Sequence, residues 1–463
     1  MIPLTLQQLA GLAGAEMATP ERGGEVLSAV ATDSRRLAGG ELFIALTGEH
    51  HDAHRFLPQA VAAGAAALMV EPRARDQALA TGAAVLTVPD TLTGLQALAR
   101  GLRREINPLV VAVTGSNGKT STKEFLRAVL GARHRVAATP GNFNNHVGLP
   151  LTLLGLEHGH EVMVCELGMN HPGEIAPLAA IAEPDIAVIT NIGVAHIEFM
   201  GSREAIAREK GELVAALSSD GLAVLNADDP FTDSIAARCR GRVVRAGIDA
   251  GDVQAREPVA IADGMAFTLS AGGESVPASI PVAGRHMVAN AALAAAVGWC
   301  RGLALKDIAS ALAGARPSDG RLQLREAGGL RFLDDSYNAN PDSMRAGILT
   351  LIESARAAGG GRTLAVLGHM AELGPEAGEI HRDLGGWIAG QGIDALCVVG
   401  RDAAALAEGA QAARAGDWVA WVEDHPAAAA FVQRHAGPDD LVLLKGSRTA
   451  RMEAVLECLS DQP

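Results

Sequence analysis

Residues 110–122, Val-Val-Ala-Val-Thr-Gly-Ser-Asn-Gly-Lys-Thr-Ser-Thr, carry the first chemistry legible in this chain. An apolar run turns on two glycines into Lys-Thr. Strand, tight turn and helix start, in that order, aim backbone N–H groups and a helix N-terminus at an anion, and the lysine adds a point charge. Gly115, Ser116, Asn117, Gly118, Lys119, Thr120 and Ser121 are therefore candidate nucleotide-phosphate contacts, and the Thr120 hydroxyl can ligate Mg²⁺. Val113 stands where the first glycine of a full P-loop would be, so the core is the shorter Gly115-x-x-Gly118-Lys119-Thr120. The competing reading is an accidental turn in a glycine-rich chain.

Further polar residues fall at the ends of apolar runs, where ligands of parallel sheets bind. Glu166 ends the run 161–167, and Asn191 ends 186–192 with His196 five residues on. A carboxylate and an imidazole beside a Lys-Thr loop suggest an Mg²⁺ site of Thr120, Glu166 and His196, against a solvated charge and a hydrogen-bonded histidine. Lys210 lies on a segment from Ser202 to Leu217 whose apolar stripe is Ile206, Leu213, Val214 and Leu217, so helical spacing turns it toward the core. Such a lysine snorkels, pairs with an acid, or, as a neutral amine, takes up CO₂ and becomes a carboxylate-like metal ligand.

Residues 139–146 place Asn142, Asn144, Asn145 and His146 in one turn, readable as an Asx cluster or as polar recognition of a substrate. Residues 334–341, Asp-Asp-Ser-Tyr-Asn-Ala-Asn-Pro, hold two acids, the chain's one tyrosine and two amides at a strand end, more than a plain loop needs. Lys445-Gly446-Ser447-Arg448 ends the last strand-like run and is basic where anions would bind.

The elements that must position these residues alternate. Residues 1–106 read as a small α/β unit, closed by a helix from Thr91 to Ile106 that Asn107-Pro108 stops. In 107–316, near-continuous apolar strands at 109–114, 161–167, 186–192 and 221–226 alternate with helices, which indicates a mostly parallel sheet of P-loop type. Residues 253–282 read as a small antiparallel patch, and His286 to Leu303 as an alanine-rich helix. From 317 to 463 the rhythm returns, with strands expected at 330–335, 363–368, 395–399, 418–422 and 440–445 in a Rossmann-like domain. The expectation is an α/β chain of three domains.

Net charge is −14, which argues against a nucleic-acid surface and requires local positive charge for any anionic ligand. Only five lysines occur, Lys119, Lys123, Lys210, Lys306 and Lys445, so each weighs more than usual. Five scattered cysteines without a Cys-x-x-Cys pair fit a reducing cytoplasm. No run of 18 apolar residues suggests a membrane span, and Met1-Ile2-Pro3-Leu4-Thr5 does not open like a signal peptide.

Taken together, these motifs resemble the Mur ligases, in particular those that add a dipeptide. The resemblance rests on Asp33-Ser34-Arg35, the loop 114–120, Asn142-Phe143-Asn144-Asn145, Glu166-Leu167-Gly168-Met169-Asn170, Thr190-Asn191-Ile192-Gly193 with His196, and Lys210-Gly211-Glu212. It continues through Gly284-Arg285-His286 with Asn290, residues 335–341 and Lys445–Arg448. It implies ATP-dependent joining of D-alanyl-D-alanine to UDP-N-acetylmuramoyl-tripeptide through an acyl phosphate, in peptidoglycan precursor synthesis, by a cytoplasmic monomer. It also implies roles: Ser34 and Arg35 for the uridine-diphosphate end; Asn290, Arg321 and Asp335 for ATP; Asn142, Asn144, Asn145, Asn338, Asn340, Lys445, Ser447 and Arg448 for the substrates. Lys119, Glu166, His196 and Lys210 would be catalytic, with Lys210 joining the Mg²⁺ ligands if carbamylated. Domain closure would hinge near 107 and 317. Three positions depart from the family pattern: Met287 for Asn, Ala53 for Gly, and His369 for Asp. The alternatives are ligases that add another amino acid to the same nucleotide or glutamate to folate, and a P-loop switch or kinase without ligase activity.

Overall fold

The computed structural model describes residues 1–460. Three large β-sheets, covered by helices, follow one another along the chain, with a two-stranded pair, Leu4–Thr5 and Val26–Leu27, near its start. In the first segment a five-stranded sheet runs in the order Glu16–Met17, Ala84–Thr87, Ala67–Val70, Leu42–Ile44, Val30–Ala31, parallel except at its first pair. The helix Thr91–Ile106 closes it; Asp90 caps one end, and Asn107, in the left-handed region at φ 48°, caps the other.

The middle segment holds a nine-stranded sheet. The loop-bearing strand Leu109–Thr114 lies between Val162–Glu166 and Ile186–Ile189, all parallel. From the first of these strands the chain crosses to the edge strand Val136–Ala138, returns through Val162–Glu166, and then continues on the other side. That reversal opens a crevice at the carboxyl ends, where ligands of open α/β sheets bind. The antiparallel patch expected at 253–282 is present, and it continues the same sheet. The strands Val253–Ile261, Gly264–Ala271 and Glu274–Ile280, antiparallel among themselves, extend it beyond Leu222–Asn226 and Arg242–Gly247. Arg242–Gly247 and the three-residue edge Val136–Ala138 were not legible as strands, because each is short and interspersed with exposed or half-exposed positions.

The last segment carries a six-stranded sheet, ordered Gln323–Ala327, Leu330–Asp335, Leu441–Lys445, Thr363–Leu367, Ala395–Val399, Val419–Val422. Only its first pair is antiparallel. The register sets Asp335 beside Lys445, both at strand ends facing the middle segment's crevice. The apolar cores do not respect the three segments. One continuous core joins the first segment's Leu95 and Leu98 to Val110, Ala112 and Leu149 of the middle. Another joins Val111, Val113 and Val288 to Leu333 and Ile348 of the last. No helix of the described residues is long and apolar enough to cross a membrane.

Within the last segment the helices Ala377–Ala389 and Ala404–Ala413 touch backbone to backbone. A Cβ on Gly385 would run into the Leu406 carbonyl and lie 2.8 Å from the Ala410 nitrogen. Gly386 next to it has only one neighbour, at 3.9 Å. Gly385→Val is expected to destabilise the protein by about 1–3 kcal/mol through overpacking. Gly386→Ala should be neutral or stabilising by up to about 1 kcal/mol. Thermal unfolding checks this, and equal midpoints for the two variants would contradict it.

Candidate active site

The phosphate loop is built before any ligand arrives. Gly115 and Gly118 have φ of 153° and 82°, conformations that disfavour a side chain. A Cβ at Gly115 would collide with the Thr190 hydroxyl, and one at Gly118 would lie 2.5 Å from Asn290 Oδ1. The neighbouring loop holds the turn: Ser116 N donates to Asn191 O and Asn117 N to Asn191 Oδ1, both at 2.9 Å. These bonds belong to a loop, because the strand ends at Ile189 and Asn191 lies beyond it. Lys119 opens the helix Lys119–Gly131, and its Nζ donates to Gly115 O at 2.8 Å. Burial lowers the Lys119 pKa to about 8, with Glu166 opposing and Arg321 adding to the shift.

Glu166 is 1% exposed at the end of its strand. Its backbone N–H donates to Thr139 Oγ1 at 3.0 Å, and its Oε2 accepts from Thr120 Oγ1 at 3.3 Å. Oε1 is buried with no hydrogen bond. Lys123, one turn beyond Lys119, lies 3.6 Å from that oxygen and donates to Thr139 O at 2.8 Å. Lys210 sits on the helix Arg203–Ala215, which Ser202 caps by accepting from Ala205 N at 3.1 Å. It is 1% exposed and has neither hydrogen bond nor ion pair among the described residues. Burial holds its pKa well below the ordinary lysine value; the charge of Lys119 adds to the shift and Glu209 opposes it.

The last segment closes on this loop. Arg321 Nη2 donates to Thr120 Oγ1 at 3.2 Å, and Asn340 Nδ2 to Asn117 Oδ1 at 2.7 Å. Asp342 accepts from Val194 N at 3.1 Å, and His196 Nδ1 meets Glu372 at 2.5 Å. Lys445 Nζ, buried, bonds Asp335 Oδ2 at 2.5 Å and Asn338 O at 3.0 Å. Burial raises the Asp335 pKa, against the opposing pull of Lys445 and Arg321. His286, also on the cleft, is pushed down to about 4 by burial and then by Lys445. The cleft so enclosed measures about 960 Å³ and takes Gln96 from the first segment.

Most residues singled out in the sequence meet in this cleft: 116–121, Asn142, Asn144, Asn145, Glu166, His196, Asn290, Arg321, Asp335, Asn338, Asn340, Lys445 and Arg448. Five do not line it. Gly115 lies beneath the loop, and Lys210 stays behind the wall. Ser447 is buried with its hydroxyl on Thr449 at 3.0 Å. Ser34 and Arg35 stand in a turn capped by Asp33, where the guanidinium pairs with that same aspartate at 2.8 Å. Of the expected metal set, Thr120 and Glu166 are in contact at 3.3 Å, while His196 Nδ1 meets Glu372 at 2.5 Å. Several amides also have local work. Asn145 Oδ1 accepts from Val147 N and Gly148 N, and Asn340 caps the helix Pro341–Ala357 while bridging to Asn117. Gln96, Lys123 and Asp342 were given no role in the sequence reading. For Lys123 the signal was its i,i+4 spacing from Lys119, which puts both on one helix face.

Family models match in chain order: "Mur ligase family, catalytic domain" over 26–103, "Mur ligase middle domain" over 113–298, and "Mur ligase, glutamate ligase domain" over 320–448. The UDP-N-acetylmuramoyl-tripeptide–D-alanyl-D-alanine ligase of Bacillus subtilis is 38% identical over 464 residues, covering 100% of both chains. The chain belongs to the Mur ligase family. Among solved structures, MurF from Acinetobacter baumannii superposes with TM-score 0.90 at 33% identity over 99% of each chain. MurF from Thermotoga maritima, in complex with ADP, gives 0.81 at 29% identity over 93% of this chain and 97% of that one. In this Mur ligase the departures from the family pattern are locally satisfied. Met287 Sδ accepts from Asn290 Nδ2 at 3.8 Å, His369 reaches Thr449 Oγ1 at 2.9 Å, and Ala53 N donates to Leu46 O at 2.9 Å. The orphaned Glu166 Oε1 beside the Thr120 hydroxyl is a hard-oxygen pair that suits Mg²⁺.

An anionic phosphate binds the Lys119 ammonium and not the amine. Nucleotide affinity of the Mur ligase should therefore weaken as pH rises through about 8, the value burial imposes on Lys119. Above that pH, binding should take up a proton. Calorimetry with ADP in buffers of different ionisation enthalpy measures both, and a flat response between about pH 7 and 9 would count against this electrostatic role.

Proposed function

We propose that this chain joins D-alanyl-D-alanine to UDP-N-acetylmuramoyl-tripeptide at the expense of ATP, in peptidoglycan precursor synthesis. The observation that carries the reading is the meeting, in one cleft, of the preformed phosphate loop with Arg321 and the Asp335–Lys445 pair of the last segment. The full-length likeness to ligases of that name supports it.

ATP lies with its phosphates on residues 115–121 and its base toward Asn290. The tripeptide's terminal carboxylate attacks the γ-phosphorus, giving an acyl phosphate and ADP. The dipeptide amine then adds to the carbonyl carbon, and the tetrahedral intermediate expels phosphate. Lys119 and Arg321 offset charge at the transferring phosphoryl group. Mg²⁺ held by Thr120 and Glu166 would add to that offset, and His196 would join its ligands on release from Glu372. Lys210 is our candidate carbamate. Its amine, desolvated and unpaired, forms a bond to CO₂ and loses a proton, leaving an anionic oxygen ligand. Ser34 and Arg35 serve the uridine-diphosphate end. Asn142, Asn144, Asn145, Asn338, Asn340, Lys445, Ser447 and Arg448 serve the peptide substrates. Segments 1–106, 107–316 and 317–463 act as three domains that hinge near 107 and 317. One chain supplies every role, so a monomer suffices, and its nucleotide substrates place the reaction in the cytoplasm.

Phosphate release from ATP tests the ligase. It should require UDP-N-acetylmuramoyl-tripeptide and rise further with D-alanyl-D-alanine; release indifferent to both would sink the reading. For the carbamate, Lys210→Ala should lose about 10- to 100-fold in kcat, the range typical of lesions around a metal site, and recover part of it with added short carboxylic acids. An unimpaired Lys210→Ala without additives would rule the carbamate out.

A further inference from the structure

Arg321 reaches the phosphate loop from another segment, and what aims it is unusual. No carboxylate pairs with its guanidinium among the described residues. Its two side-chain contacts are Thr120 Oγ1, at 3.2 Å, and the ring of Tyr337, whose centroid lies 4.2 Å from Cζ. The backbone ties Tyr337 to the residue before Arg321. Tyr337 N donates to Gly320 O at 3.2 Å, and Gly320, at φ 66°, turns the chain tightly enough that a Cβ there would sit 3.1 Å from Tyr337 N. Arg448 lies 5.9 Å from the same ring, so one aromatic ring neighbours two guanidiniums of the cleft.

A carboxylate would orient an arginine but also neutralise it. An aromatic face orients a cation through its quadrupole and leaves the net charge intact. We propose that Tyr337 is a positioning residue for Arg321, holding the guanidinium against the phosphate loop at full charge for an incoming nucleotide phosphate. The inference rests on the assignment of ATP to this loop. The phenol itself makes no hydrogen bond among the described residues, so the ring and not the hydroxyl does this work.

The test is a double-mutant cycle on the full chain, read as calorimetric affinity for a non-hydrolysable ATP analogue. Tyr337→Leu and Tyr337→Met, which fill space without a π face, should each weaken binding about five- to tenfold. Tyr337→Phe should stay within about twofold of the parent. In an Arg321→Ala background, Tyr337→Leu should add less than about twofold. Equal losses for Tyr337→Phe and Tyr337→Leu would overturn the proposal, as would an undiminished loss without Arg321. A wild-type chain that binds the analogue but forms no ligated product would defeat the ligase reading instead, with the calorimetric cycle still deciding the role of Tyr337.

Discussion

Four of the chain's five lysines, Lys119, Lys123, Lys210 and Lys445, lie wholly or partly out of bulk water around one cleft. Crowding cations in low dielectric is costly unless anions answer them. Glu166 answers Lys123, and Asp335 answers Lys445. Lys119 donates to its own loop's carbonyl and feels Glu166 at a distance, and Lys210 has neither hydrogen bond nor ion pair among the described residues. The cleft's lining mixes carboxylates with Lys and Arg side chains, so positive charge is concentrated locally, at Lys119 and Arg321 beside the phosphate loop, in a chain whose net charge is −14. A nucleotide phosphate would meet that local charge although the protein as a whole repels anions.

The same constraint explains how the segments meet. Contacts across the cleft are polar and few in kind: an arginine on a threonine hydroxyl, an amide on an amide, a carboxylate on a backbone N–H, an imidazole on a carboxylate. Each is a bond that water could replace with little loss. Away from the cleft, the last segment's Ile348 shares an apolar core with Val288. The last segment thus meets the middle one through polar contacts at the cleft and through apolar packing beside it.

Much of this was legible in the sequence, and the reasons are local. Lys210 was placed in the core by helical spacing alone, and the loop 115–120 by its order of strand, turn and helix. The helix Thr91–Ile106 was bounded at its far end by Asn107-Pro108, as the structure has it. What escaped were relations between segments. Nothing near Asn340 says that its amide bridges to Asn117, and nothing near His196 says that Glu372 lies against it. The strand Arg242–Gly247 escaped because its arginines, three apart, break the apolar run; it is a strand because the sheet continues on both sides of it. Tertiary pairing decided each of these, and single-segment patterns do not encode it.

The two shared cores have a consequence for folding. The nine-stranded sheet shares its interior: on one face its own helices pack together with the first segment, and on the other together with the last. Cut out alone, the middle segment would keep those helices but expose to water the apolar side chains that now meet Leu95 and Leu98 on one side and Leu333 and Ile348 on the other. The cooperative unit is then the entire polypeptide rather than any one of its sheets. Hydrogen exchange should register its deepest protection as a single opening event that involves strands of all three sheets.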